Sequence, residues 1–89
     1  MKIRPLAKAD YEEWRVLWVS YLDFYETSLK AEVIDETFSR FIDNDQIRQN
    51  ALVAENKGDL AGLVHYIFHL DTWGIREVCY LQDLFVIPQ

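Results

Sequence analysis

An α+β fold follows from the order of the segments: one short strand, two helices, then a three-stranded antiparallel meander. Three observations carry that reading. An aromatic stripe at helical spacing runs from Tyr11 to Tyr25, the turn Asn56-Lys57-Gly58-Asp59 divides two runs of strand formers, and Glu77 to Ile87 is almost unbroken in its apolar character.

Lys2 to Leu6 reads as the first strand, with Pro5 suiting an edge or a strand end because it cannot donate to a ladder. Asp10 is the expected N-cap of the first helix, with Glu13 three residues on in a capping-box relation. Tyr11, Trp14, Leu17, Trp18, Tyr21, Leu22 and Tyr25 recur every three or four residues, so this helix lays one broad face on a sheet and buries both tryptophans. The spacing of Ile34, Phe38, Phe41 and Ile42 predicts a second helix over 31–43, and the polar stretch from Asp43 to Asn50 reads as a loop.

Leu52 to Glu55 is a strand, and Gly58 is free to take the positive φ of a tight hairpin turn before Leu60 to Leu70 returns. Asp71-Thr72-Trp73-Gly74 is a second turn. The run from Glu77 to Ile87 then has the character of a central strand covered on both faces. Only one edge neighbour is available to it. Its other edge is expected to stay open, which points to a missing complementary half or to a second copy pairing there. The 89 residues are accordingly read as a single partial domain, 1–89.

Fifteen acidic against nine basic residues give a net charge of −6, which disfavours nucleic acid and anionic membrane as partners and favours a small cation. No stretch approaches the roughly 20 apolar residues of a membrane span, and the first residues lack a signal-peptide core. The expected location is the cytoplasm. Cys79 is the single cysteine, so an internal disulfide or a multi-cysteine zinc site is excluded, and its apolar setting suggests a packed thiol.

Asp83 is the residue most suggestive of chemistry, because a carboxylate within a run of strand formers loses hydration and acids so placed are often functional. Strict alternation puts Asp83 on one face with Cys79, Leu81, Phe85 and Ile87, and Gln82 on the other with Tyr80, Leu84 and Val86. Only a bulge would bring Gln82 and Asp83 to the same side. His65 and His69 share a face but stand roughly 13 Å apart along a strand, too far for one metal ion, so no metal is expected.

The segment GLVHYIFHLDTWGIREVCYLQDLFVIP, together with the opening IRPLAKADYEEW and the helix LWVSYLDFY, resembles the front half of GNAT-family N-acetyltransferases. The diamine (spermidine/spermine) acetyltransferase-like subgroup is the most similar, through the D-x-W turn and the strand YLQDLFV. The resemblance implies transfer of an acetyl group from acetyl-CoA to a primary amine without a covalent enzyme intermediate. It implies Asp83 and Gln82 at the catalytic position, the backbone of Leu84, Phe85 and Val86 along the acetyl-CoA arm, and Tyr25, Glu26, Asp71 and Trp73 on the amine side.

Gln82 stands where the polyamine enzymes carry Glu, and an amide takes no proton at neutral pH. The family's pyrophosphate-cradling loop and its C-terminal half have no counterpart in this sequence, so the isolated chain is expected to be inactive. The competing expectation is a non-catalytic interaction module that dimerises through its open strand edge.

Overall fold

A computed structural model describes residues 1–88. Strand β1 (Lys2–Pro5) leads through a 3-10 turn at Lys8–Asp10 into helix α1 (Tyr11–Phe24), and helix α2 (Ala31–Ile42) follows. Strands β2 (Gln49–Asn56), β3 (Asp59–Leu70) and β4 (Glu77–Val86) complete a four-stranded antiparallel sheet in the order β1-β2-β3-β4. The α+β class and the order strand, two helices, three antiparallel strands agree with the expectation from sequence.

The start of α1 is built differently from the expected capping box. Asp10 makes no side-chain cap to the helix; its carboxylate accepts from the Ala7 amide at 2.8 Å and from both terminal nitrogens of Arg4 at 2.7 and 2.9 Å. Glu13 instead accepts from the Leu60 amide at 2.8 Å, which ties the helix to the start of β3. The physical reason is competition: a bidentate guanidinium on a buried carboxylate outweighs a single neutral cap. Arg4 also bonds Glu55 of β2 at 3.1 Å, so this one cation joins β1, the entry to α1 and β2.

At its other end α1 closes with a 6→1 bond from the Thr27 amide to Leu22 and a bond from the Glu26 amide to Asp23, a Schellman closure with Glu26 at φ 55. Helix α2 buries Ile34 and Phe38 and ends one residue before the expected Asp43. Tyr11 donates from α1 to the Asp35 carboxylate of α2. The loop expected over 43–50 is shorter, because β2 begins at Gln49. Gln46 holds that loop, accepting from the amides of Arg48 and Gln49 at 3.0 Å each.

Both helices cover one face of the sheet, and the core between them contains Trp14, Leu17, Trp18, Leu22, Ile34, Phe38, Val53 and Leu63. The hairpin turn has Lys57 at φ 55 and Gly58 at φ 89, the pair of positive values that matches the twist of the strands it joins. Gly62 permits a close approach of β4: a Cβ there would sit 3.0 Å from the Phe85 carbonyl oxygen and 3.3 Å from Val86 Cγ2.

Strand β4 lies at the sheet edge among the described residues, rather than in a covered centre. Leu84 and Val86 remain 59% and 56% exposed on the face away from the helices. Cys79, expected as a packed thiol, is exposed on that same face because its partner across the ladder is Phe68. The apolar run thus marks a strand whose outer face and edge have no cover within the described residues.

Candidate active site

The site begins with a bulge. Asp83 pairs with His65 and Leu81 pairs with Tyr66, so Gln82 is the extra residue on β4. Beyond the bulge the alternation resets. Asp83 and Phe85 face the helices with His65 and Leu63, whereas Leu81 and Cys79 face away and Tyr80 takes the helix side. The strict period-two assignment is corrected at these positions, and Gln82 and Asp83 line one cavity of about 140 Å³ with Trp18, Thr37, Phe41, Gln49, His65, Tyr66 and Ile67.

A hydrogen-bonded chain runs from the core to that cavity. Trp14 has none of its surface exposed, and its Nε1–H donates to His65 Nε2 at 3.1 Å. An indole nitrogen can only donate, so His65 Nε2 is the acceptor and the ring carries its proton on Nδ1. His65 Nδ1 lies 3.1 Å from Asp83 Oδ2 and donates to it. His65 is 3% exposed, with its ring centroid 4.4 Å from that of Phe41 and 4.7 Å from that of Trp18. The aromatic wall fixes the imidazole, and the imidazole fixes one oxygen of Asp83.

Tyr21 lies close to the same carboxylate. Its phenol is pushed up to about 12, first by burial and then by the Asp83 carboxylate beside it, so it keeps its proton at neutral pH. Tyr21 also lines a second cavity of about 280 Å³ with Phe24, Tyr25, Leu84, Phe85, Val86 and Pro88. Asp83 thus lines the polar cavity, and its neighbour Tyr21 lines the aromatic and aliphatic one.

The backbone along that second cavity has a defined direction. The Ile87 amide donates to Ala61 at 2.9 Å, so alternation turns the amide and carbonyl groups of Phe85 toward β3 and those of Leu84 and Val86 toward the open edge. Of the three residues expected along the acetyl-CoA arm, Leu84 and Val86 turn their backbone groups to the open edge and Phe85 does not. Phe85 contributes its side chain, whose ring lies 6.3 Å from that of Tyr21. An extended, amide-bearing chain fits this edge, whereas phosphate groups find no cation among the lining residues.

The residues expected on the amine side are dispersed. Tyr25 lines the cavity beside Leu84 to Val86. Glu26 is the exposed left-handed residue after α1. Asp71 accepts from the Trp73 amide at 3.0 Å within its turn, and the Trp73 side chain is 95% exposed. Neither Asp71, Trp73 nor Glu26 lines the cavity at Asp83.

Sequence reasoning did not assign His65, Trp14, Trp18 or Gln49 to the site. For the first three a signal exists: the stripe on α1 points Trp14 and Trp18 at the sheet, and His65 follows buried Leu63 by one strand period. For Gln49 there was none, because it lay in a stretch read as loop. No group of His, Cys, Asp and Glu able to hold a metal occurs among the described residues. No helix there is long and apolar enough to cross a membrane.

No protein-family model matches the chain. The D-amino-acid N-acetyltransferase HPA3 of Saccharomyces cerevisiae is 38% identical over 85 residues, which cover 94% of this chain and 53% of that protein. Among solved structures, AAC(6')-Iy in complex with the bisubstrate analog CoA-S-monomethyl-acetylneamine superposes with a TM-score of 0.80 at 18% identity, over 98% of this chain and 57% of that one. A probable acetyltransferase gives a TM-score of 0.81 at 17% identity with the same coverage. The chain spans about half the length of the relatives it matches, and over that span it is similar to acetyltransferases in sequence and in fold.

Proposed function

We propose that the chain forms the amine-activating part of a GNAT-type N-acetyltransferase, which moves an acetyl group from acetyl-CoA to a primary amine. The carrying observation is the Asp83 carboxylate, fixed by His65 at 3.1 Å, on the wall of a small polar cavity and one residue from the outward backbone of Leu84. The similarity to a D-amino-acid N-acetyltransferase supports the reaction class.

The free amine adds to the thioester carbonyl of acetyl-CoA to form the C–N bond, the C–S bond then breaks, and the CoA thiolate leaves as the thiol, taking up from solvent a proton equivalent to the one the new amide nitrogen sheds. Leu84 and Val86 hold the amide-bearing arm of acetyl-CoA by strand-like hydrogen bonds at the open edge, with Tyr25 and Phe85 closing over it. An ammonium ion has no lone pair to attack with, so the acceptor must give up a proton. Asp83 takes it, directly or through one water, while the second carboxylate oxygen stays on His65 Nδ1–H. Gln82 cannot accept a proton and orients the amine through its side-chain carbonyl. Tyr21, protonated at neutral pH, keeps a phenol O–H close to the Asp83 carboxylate.

A titration of thermal stability with acetyl-CoA tests the donor side, since a specific ligand raises the stability of the state that binds it. A saturable rise that Val86→Pro removes is expected; no rise at millimolar acetyl-CoA contradicts the reading. The second reading, an interaction module without catalysis, is favoured by the exposure of Leu81, Leu84 and Val86 beside the open edge of β4. It requires a concentration-dependent dimer in sedimentation, and a monomer at all concentrations eliminates it.

A further inference from the structure

An open groove of about 750 Å³ adjoins the Asp83 cavity and shares Gln49, Ile67 and Gln82 with it. Arg40 and Arg48 line this groove, opposite an apolar wall that includes Phe68 and Leu70. One side chain holds the two arginines in place. Gln46 Nε2 donates to the carbonyl oxygens of Arg40 and Gln49, while its Oε1 accepts from the amides of Arg48 and Gln49. The last turn of α2 and the approach to β2 are thereby pinned together, and each brings one guanidinium to the groove.

Little within the chain answers these charges, although it carries 15 acidic residues against 9 basic ones. Arg4 is met by two carboxylates, Asp10 and Glu55. Arg48 takes part in no ion pair among the described residues, and Arg40 meets Glu36 only through Nε at 3.4 Å, with both side chains more than half exposed, where such a pair is weak. Asp43, the one carboxylate lining the groove, accepts from the Asp45 amide at 2.9 Å. The net charge of −6 favoured a cationic ligand, but the charge that acts on a ligand is the one lining its seat, and here that charge is positive.

We propose that this groove seats the phosphate monoester of an acceptor whose primary amine reaches Asp83. The proposal rests on the N-acetyltransferase reading and adds to it the substrate class and the two residues that select it. A phosphate has oxygens enough to accept from both guanidinium forks, whereas a carboxylate is filled by one. The strand register sets the length of the molecule. His65 pairs with Asp83, Ile67 pairs with Gln49, and Arg48 stands one residue further, so amine and phosphate are separated by about 7–10 Å, with a carbon body along Ile67 and Phe68. A polyamine would run its remaining ammonium groups past two guanidinium groups, a like-charge contact that disfavours it. The phosphates of the acetyl donor do not compete for this seat: the groove follows β3 toward Leu70, opposite Glu77, whereas the donor edge at Leu84 to Val86 is the other end of β4.

The test uses the whole chain with 6-aminohexyl phosphate, hexylamine, 6-aminohexanoate and inorganic phosphate as probes, followed by calorimetry, by the arginine Nε–H resonances, and by acetylation after acetyl-CoA is added. 6-Aminohexyl phosphate is expected to bind at least about tenfold tighter than each of the others and to shift the Nε–H resonances of Arg40 and Arg48. Arg48→Gln, a change at an exposed position, should remove that advantage and leave hexylamine binding unchanged, and Arg48→Lys, which keeps the charge without the fork, should restore only part of it. Affinity for hexylamine, 6-aminohexanoate or inorganic phosphate equal to that for 6-aminohexyl phosphate overturns the proposal, as does full binding by Arg48→Gln. A shift of the same two resonances by CoA alone also overturns it, since the groove would then belong to the donor. The parent reading has its own readout: hexylamine acetylated as fast as 6-aminohexyl phosphate sinks the proposal and leaves the acetyltransferase standing. Selective binding of 6-aminohexyl phosphate without any acetylation does the reverse.

Discussion

Replacing His65 with Leu removes both ends of the chain from Trp14 to Asp83 while nearly preserving side-chain volume. The Trp14 indole N–H, wholly buried, is left without an acceptor, at a cost of about 1–3 kcal/mol. Asp83 loses its donor as well, but it lines a cavity where water can partly replace it, so that loss is near the low end of the roughly 1.5–3 kcal/mol range for a bond to a charged group. Together the two give about 3 kcal/mol. Urea unfolding followed by tryptophan fluorescence reads this directly; with a slope of about 1 kcal/mol per molar for a domain this small, the midpoint falls by about 3 M, or the variant fails to fold. His65→Gln keeps an acceptor and a donor and should recover at least half of the loss. In a Trp14→Phe background the His65→Leu cost should shrink by about 1 kcal/mol or more, since the orphaned donor is gone. Equal losses for Leu and Gln, or no coupling between positions 14 and 65, would refute the reasoning that the imidazole acts through its two nitrogens.

Three further outcomes follow from other parts of the fold. Arg4 holds the Asp10 carboxyl below its ordinary value, chiefly through their hydrogen bonds, so ionised Asp10 stabilises the fold above about pH 4 and that contribution is lost as pH falls through the lowered value; Asp10→Asn should cost about 2 kcal/mol at pH 7 and less at pH 3, checked by denaturation at both. Tyr21 should ionise only near pH 12 in an absorbance titration, and Asp83→Asn should bring it down from about 12, because part of the upward push comes from that carboxylate. Its raised value adds stability below pH 10 that fades as the pH climbs toward 12. Glu26→Gly should stabilise by about 0.5–1 kcal/mol in urea unfolding, since glycine occupies the left-handed position at φ 55 without the side-chain penalty.

The sequence made the fold legible wherever a single periodicity governed the side chains. The α1 stripe, the α2 face and the Asn56–Asp59 turn report local preferences that the tertiary structure reinforces. Misreadings arose where a long-range partner decided the outcome. Asp10 looks like a helix cap until Arg4 from β1 takes its carboxylate, and Glu13 looks like its partner until the Leu60 amide is brought against it. The bulge at Gln82 leaves no mark in composition, because an inserted strand residue is chemically an ordinary one; yet it decides that Gln82 and Asp83 share a cavity. Asp83 itself stood out as a carboxylate among strand formers. His65 and Gln49 did not, since their roles depend on which atoms of α1 face them.

The claim that β4 presents its edge to acetyl-CoA can be measured residue by residue. Backbone amide resonances of the whole chain, recorded with increasing acetyl-CoA, should shift at Leu84 and Val86, whose N–H groups point outward, and much less at Phe85, whose N–H is engaged with β3. The same two amides should gain protection from hydrogen exchange. Unchanged amides along β4, or shifts of equal size at all three positions, would contradict strand-like pairing of the donor with this edge.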